Sequence, residues 1–344
     1  MLAPSILPGE NSTHMSSYAA WKAAALRELG GTSLEEFPQA PRSLYVDPLY
    51  TALSPADEAL AKEAHALVCQ PRPPIAPRHV PPIHRAIENA ISGIQLGPVL
   101  QLAVQLARAD SCPQQVGEAQ TFEVPIGGDI WVEVAKLRAL RLGWAKLQVV
   151  RKRTPTWAHI IATGVSPMLT LREPWVNLLR NAHIVFAAMV GGADHIVLAP
   201  FDYGHAPPSE LGGRMVDNVR RVLEEEGLLT KVKDPAHGSF AVESLTCTLL
   251  RDAWKILERI ENEGGYSAFV ASGALSALYE AEFAQRKEEL ASGIPTITGI
   301  TSFVDRAPEA LNGYPTSVLG TPNREKLDWT FEAGREMHDD LSEA

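Results

Sequence analysis

Three places in this 344-residue chain carry side chains whose type and position could do chemistry. His159 stands just inside the apolar run WAHIIATG (157–164), where an imidazole near a site opening could polarise a carbonyl. A histidine satisfied within the fold is the structural alternative. Arg172 follows that run in a loop beyond its C-terminal end, where strand-and-helix folds gather their sites, and its guanidinium could attract a carboxylate or phosphate. Thr170 and Glu173 beside it have capping-box spacing, which offers a purely local role. Gly127 and Gly128, followed by Asp129, sit between a strand-like and a helix-like stretch. Free amides at that turn could hold a phosphate group, and a tight turn with Asp129 as helix cap uses the same residues.

Other chemistries find less support. No GxGxxG follows an early strand, so a dinucleotide fingerprint is missing, and Gly191-Gly192 reads as a helix stop. Cys69, Cys112 and Cys247 are far apart with neither a CxxC pair nor metal-ligand spacing, which suits free thiols in a reducing cytoplasm and gives no metal site. A net charge of −10 argues against nucleic acid as partner, because counterion displacement needs a basic surface. No apolar run is long enough to span a bilayer, and the N-terminus lacks the basic and apolar regions of a secretory signal, so a cytoplasmic location is expected.

The elements that must position these residues follow a βα rhythm. Residues 16–37 contain an amphipathic helix, and PRPPIAPRHVPP (71–82) holds six prolines that exclude helix and central strand. Helix is expected at 83–108, strand at 121–127, and helix at 129–147 with Ile130, Val134, Leu137 and Trp144 on one side and Glu133, Lys136 and Arg141 elsewhere. Strand 157–164 precedes a helix carrying Trp175, Leu178, Ala182, Val185 and Met189. Strand 195–200 then leads to helix 208–226, opened by Pro208 and closed by Gly227. Helices at 241–263 and 267–291, a strand-like IPTITGITSF and a short helix near 323–338 complete the pattern.

Several of these stretches carry a family likeness. The segment TKVKDPAHGSFAVESLTCTLLRDAWKILERIENEGG (230–265) resembles the post-barrel segment of methylmalonyl-CoA mutases almost position for position. WVEVAKLRALRLGWAKL (131–147) is similar to that family's helix with an AKLRAAR core, and EPWVNLLRNAHIVFAAMVGGADHI (173–196) to its DPYNN helix. Arg214 and Asn218 fall where the family has an Arg and an Asn, and the Trp21 helix leading to PLYT, with Tyr50, resembles its subunit-contacting arm.

The resemblance implies a (βα) barrel that binds a CoA ester, together with a cobalamin-binding domain marked by DxHxxG. This chain contains no DxHxxG, so adenosylcobalamin is expected only through a partner chain. The interval from Pro48 to Ala135 is 87 residues, far shorter than the family's, and leaves room for about half a barrel. Leu171 and Arg172 stand where the family has Glu and Gln, and Leu198-Ala199-Pro200 replaces its HTN sequence.

The expectation is therefore an α/β fold: a partial, half TIM-type barrel with an N-terminal helical arm and a C-terminal helical linker segment. Its divisions are a tail and contact arm (1–70), a proline-rich linker (71–82), the partial barrel (83–228) and a post-barrel helical segment (229–344). The expected role is a non-catalytic or accessory subunit pairing with a mutase large subunit or a separate cobalamin-binding subunit, or with itself as a homodimer, with Trp21 and Tyr50 at the contact. An active component of an adenosylcobalamin-dependent acyl-CoA mutase completed by other chains is the alternative, and an acyl-CoA-binding protein the second.

Overall fold

The apolar runs and helical faces sort into a parallel sheet with helices over one of its faces. The computed structural model describes residues 53–71, 97–111, 119–154, 156–164, 169–170, 173–203, 205–206, 209–291, 296–299, 302–303 and 321–322. In chain order its elements are α1 (Pro55–Cys69), α2 (Pro98–Ser111), β1 (Gln120–Pro125), α3 (Ile130–Val150), β2 (Ala158–Gly164), α4 (Val176–Val190) and β3 (His195–Leu198). There follow β4 (His205–Ala206), α5 (Glu210–Arg221), α6 (Phe240–Asn262), α7 (Tyr266–Ala271), α8 (Ala274–Ala291) and β5 (Thr321–Pro322). Residues 16–37, most of the proline-rich stretch, Trp21, Tyr50, Leu171, Arg172 and the helix expected near 323–338 lie outside the described residues.

β1, β2 and β3 are neighbours in that order, all parallel, with Thr121 opposite His159, Pro125 opposite Thr163, and Ile161 opposite His195. Alternation along the strands divides the sheet. Phe122, Val124, Ile160, Ala162 and Leu198 join the main core, whereas Ile161 and Val197 meet separately on the opposite face. Because α3 and α4 pack on each other and both touch β2, they cover the same face. The sheet is singly wound, each strand followed by a helix on that side, and every residue of β2 is buried as its near-continuous apolar run requires.

α3 is the structural centre. α1, α2, α4 and α6 all pack against it, so its burial extends around the whole helix rather than along one stripe. The charges away from the apolar side are buried as well: Glu133, Lys136 and Arg141 are only 4%, 0% and 3% exposed. Gly143 lets α2 and α6 approach closely, since a Cβ there would sit 2.9 Å from Leu250 Cδ1 and 3.0 Å from Leu106 Cδ1.

Other expectations shift for local reasons. α1 falls within the stretch expected to be tail and arm, yet it buries Ala61, Ala64 and Val68 against α3 and α6, started by Ser54 capping the Asp57 amide and by Pro55. α6 lies beyond the boundary drawn at residue 228 but shares the core of α2 and α3. The helix expected at 208–226 starts at Glu210 with Ser209 as cap and ends in a π turn, Val222–Glu226; the left-handed residue is Leu228 (φ 53°), not Gly227. The single helix at 267–291 breaks at Gly273 (φ 80°) into α7 and α8. IPTITGITSF supplies a turn instead of a strand in its described part, with Thr298 bridging Ser302 around Gly299.

Cys247 is buried on α6, and its Sγ lies 3.7 Å from the Asp57 carbonyl. Burial first, then the neighbouring Asp57 charge, pushes its pKa up to about 12. In the native chain at neutral pH a thiol reagent should therefore leave Cys247 unmodified by peptide mapping and modify it only after urea unfolding. Rapid native labelling at Cys247 would contradict this packing.

Candidate functional site

The C-terminal ends of the three parallel strands are where a singly wound sheet gathers its functional loops. β1 runs into Ile126, Gly127, Gly128 and Asp129. The Asp129 carboxylate accepts hydrogen bonds from the Trp131 and Val132 amides at 3.0 and 3.2 Å. It thereby occupies α3 amides that a phosphate would use. The Glu133 carboxylate lies against Gly127, since a Cβ added there would be 2.9 Å from Oε1. Below it, Lys136 Nζ pairs with Glu133 Oε2 at 2.5 Å and donates to Gln101 Oε1 (2.8 Å) and the Pro125 carbonyl (2.7 Å). The glycine turn is thus surrounded by two carboxylates, and the nearby ammonium is already neutralised.

At the end of β2, Asn177 takes the organising role. Its Oδ1 accepts from the Thr170 amide at 3.0 Å, and its Nδ2 donates to the Thr170 and Phe201 carbonyls at 2.9 and 2.8 Å. That joins the loop after β2 to the chain after β3. Thr170 and Glu173, whose spacing suggests a capping box, lie ahead of α4, which begins at Val176 and whose N-cap position, Trp175, makes no side-chain cap bond. Arg180 supplies the described guanidinium at this end, donating to Thr170 Oγ1, Asn177 Oδ1 and the Thr298 carbonyl. Burial lowers its pKa, with Glu173 opposing. Sequence reasoning passed over Arg180 because it sits inside a helical apolar pattern; its i, i+3 spacing from Asn177 was the available signal. After β3, Asp202 Oδ2 accepts from the Ser209 amide at 2.7 Å and seats the start of α5.

His159 lies elsewhere. It is buried near the N-terminal end of β2, opposite Thr121, which precedes Gly127 by six residues. At about 3.3 Å per residue the two candidates stand roughly 20 Å apart along the sheet. The structure therefore does not bring His159 and the Gly127-Gly128 turn together. Arg214 and Asn218 are exposed on α5.

The two arginines of AKLRALR (135–141) make the most extensive polar contacts. Arg138 donates to Asp234 Oδ1 and, bidentately, to Glu243 at 2.8 and 2.9 Å. Arg141 donates to the Ala158 and Gly192 carbonyls, both at 2.8 Å, and to Asp194 Oδ2 at 3.1 Å, while stacking 4.4 Å from the Trp157 ring centroid. Asp194 Oδ2 also accepts from the Ile160 amide at 2.9 Å. The helix, the post-α5 loop and the turn after α4 are locked together by these bonds.

Comparison with known proteins gives these segments a common origin. The family model described as methylmalonyl-CoA mutase matches residues 109–325. The chain belongs to the methylmalonyl-CoA mutase family. It is 33% identical over 270 residues to the methylmalonyl-CoA mutase small subunit of Streptomyces virginiae, an alignment covering 76% of this chain and 44% of that one. It is 37% identical over 207 residues to the probable methylmalonyl-CoA mutase small subunit of Mycobacterium tuberculosis, covering 58% and 33%. It is 33% identical over 188 residues to the methylmalonyl-CoA mutase of Cereibacter sphaeroides, covering 53% and 26%. The chain thus spans less than half the length of these curated relatives. In this member of the mutase family, the charged residues of the matching helix serve packing, since every one from Glu133 to Arg141 is paired inside the core.

Two half-buried imidazoles give this mutase-family fold a pH dependence. Burial lowers the His183 pKa, opposed by the Gly127 carbonyl and the charges of Glu133 and Asp129; burial, then Arg220, lowers that of His195. Between the lowered folded values and the unfolded value of about 6.5, the unfolded chain binds more protons. Stability is therefore fully present above about pH 6.5 and falls as pH drops toward the folded values. The urea midpoint should fall between roughly pH 7.5 and 5.5, and fall less in a His183→Gln/His195→Gln variant. Equal declines in the two proteins would contradict this origin.

Proposed function

We propose that this chain is an accessory subunit of a methylmalonyl-CoA mutase-like acyl-CoA mutase. It contributes a half TIM-type barrel and pairs with a catalytic chain that binds adenosylcobalamin. One observation carries the reading: the side chains of the family helix are consumed in internal pairing, whereas His159 and the Gly127-Gly128 turn occupy opposite ends of the sheet. A radical isomerase needs a closed, dry cavity with preorganised donors on its substrate. Among the described residues, the parallel sheet has three strands, with β1 and β3 at its edges. Open edges of this kind favour covering by another chain, here through the arm bearing Trp21 and Tyr50. Two relatives named as small subunits agree with a subunit role.

Cobalamin enters this reading through the partner. Lower-axial ligation needs an accessible imidazole. The family marks its cobalt-ligating histidine with DxHxxG, which this sequence does not contain, and His159 on β2 is buried.

The test mixes the full chain with the cobalamin-binding mutase subunit of the same cell and adenosylcobalamin, then follows isomerisation of an acyl-CoA. The expected result is an assembled complex whose turnover stays within about twofold, or about 0.4 kcal/mol of barrier, when His159→Gln or Arg172→Ala is introduced. Loss of turnover in an intact complex would make this chain a catalytic component and overturn the accessory reading. Stoichiometric acyl-CoA binding by the chain alone would overturn it in favour of a binding protein.

A further inference from the structure

Away from the strand ends, α1 meets the loop between α5 and α6. His65, Asp234 and His237 each offer a ligand atom there, and these atoms all lie within 4.8 Å of one another. His65 Nδ1 contacts Asp234 Oδ2 at 2.9 Å across 169 residues of sequence. The two imidazoles stack with centroids 3.8 Å apart and planes 18° apart. One turn along α1, Cys69 Sγ is 3.7 Å from His65 Nδ1. His237 Nδ1 is 3.2 Å from Glu243 Oε1.

The Asp234 and Glu243 side chains, 0% and 1% exposed, pair with Arg138, itself 0% exposed. Two buried carboxylates thus share one guanidinium, and the other groups pressed against them are two imidazoles, His65 on Asp234 and His237 on Glu243, with the Cys69 thiol beside His65.

We propose that His65, Asp234 and His237 form a site for a divalent zinc-class cation, with the Cys69 thiolate as fourth ligand. Imidazole nitrogen, carboxylate oxygen and thiolate sulfur are the donors zinc takes, and four of them close a structural site. His65 and Cys69 lie four residues apart on α1, so they project from one helical face. Glu243 holds Nδ1 of His237 and leaves Nε2 to the ion, while Arg138 orients Asp234; such outer partners fix the ligands of metal sites. Ion binding replaces the contact between His65 and Asp234. Beside the cluster, a cleft of about 400 Å³ lined by residues including Lys62, His237, Phe240 and Glu243 gives the ion a route in. The bound cation adds positive charge beside the two carboxylates and staples α1 to the α5–α6 loop.

The test uses the full, tag-free chain stripped with a chelator and titrated with Zn²⁺ by calorimetry and with Co²⁺ by absorption. One equivalent should bind, with thiolate-to-cobalt charge-transfer bands that vanish in Cys69→Ser while the d–d bands persist. His237→Ala, at a side chain 37% exposed, should retain the native circular dichroism yet lose affinity by ~10-fold or more. His65→Gln should do the same, and Zn²⁺ should raise the melting temperature of the parent chain alone. Absence of stoichiometric binding would overturn the site, as would Zn²⁺ affinity indifferent to both histidine substitutions.

Discussion

Arg138→Met is expected to lower folding stability by about 3–5 kcal/mol, the range found when one partner of a buried ion pair is removed. Folded domains are stable by only about 5–15 kcal/mol, so the variant should be largely unfolded at mild urea concentrations. The cause lies in what remains. Asp234 and Glu243 would stay buried without their shared guanidinium, which now bonds Asp234 once and Glu243 twice. Arg138→Lys should recover only part of the loss, because an ammonium cannot span two carboxylates with a planar fork. A triple change, Arg138→Met with Asp234→Asn and Glu243→Gln, should be more stable than the single variant, since it removes the stranded charges. Urea unfolding followed by circular dichroism measures all three. A single-variant loss below about 1 kcal/mol would mean that the pairing is screened or absent.

Arg141→Ala should cost about 3 kcal/mol or more through a different mechanism. Arg141 serves backbone carbonyls at Ala158 and Gly192 as well as the Asp194 carboxylate, and its guanidinium stacks on Trp157. Its removal strips a donor from two buried carbonyls at once and releases the turn that places β3 beside β2. Arg141→Gln, which retains donors without charge, should fall between the parent and the alanine variant. Amide exchange offers a local check: the protection of Ile160, whose N–H is held by Asp194, should drop more than that of α6. Uniform protection across both regions would place the effect in global stability instead.

Much of the architecture is legible in the sequence. β1, β2 and β3 begin and end within a residue or two of the expected runs, because short apolar stretches between turn signals have few alternatives. Asp129 as cap of α3 and the glycine stop after α4 follow from the same local chemistry. The misses share a cause in tertiary context. α1 buries alanines and one valine, so it lacks the large apolar stripe that periodicity detects. Glu133, Lys136 and Arg141 read as lying away from the apolar side of the helix, but the carboxylates that hold Arg138 and Arg141 inside lie 53 to 105 residues further along the chain. The His65, Asp234 and His237 cluster was invisible for the same reason, since cysteine spacing carries no trace of ligands gathered from α1 and a distant loop. At the candidate site, the place of Gly127 and Gly128 between β1 and α3 follows from local sequence, whereas Arg180 and Asn177 are hidden in a helix that also packs.

The subunit reading is tested most directly by the native mass and composition of the complex captured through this chain from its own cell extract. Recovery in stoichiometric complex with a cobalamin-containing mutase large subunit, weakened by alanine at Trp21 and Tyr50, is the expected result. Recovery of the chain alone, as a monomer or homodimer with no mutase subunit bound, would contradict it.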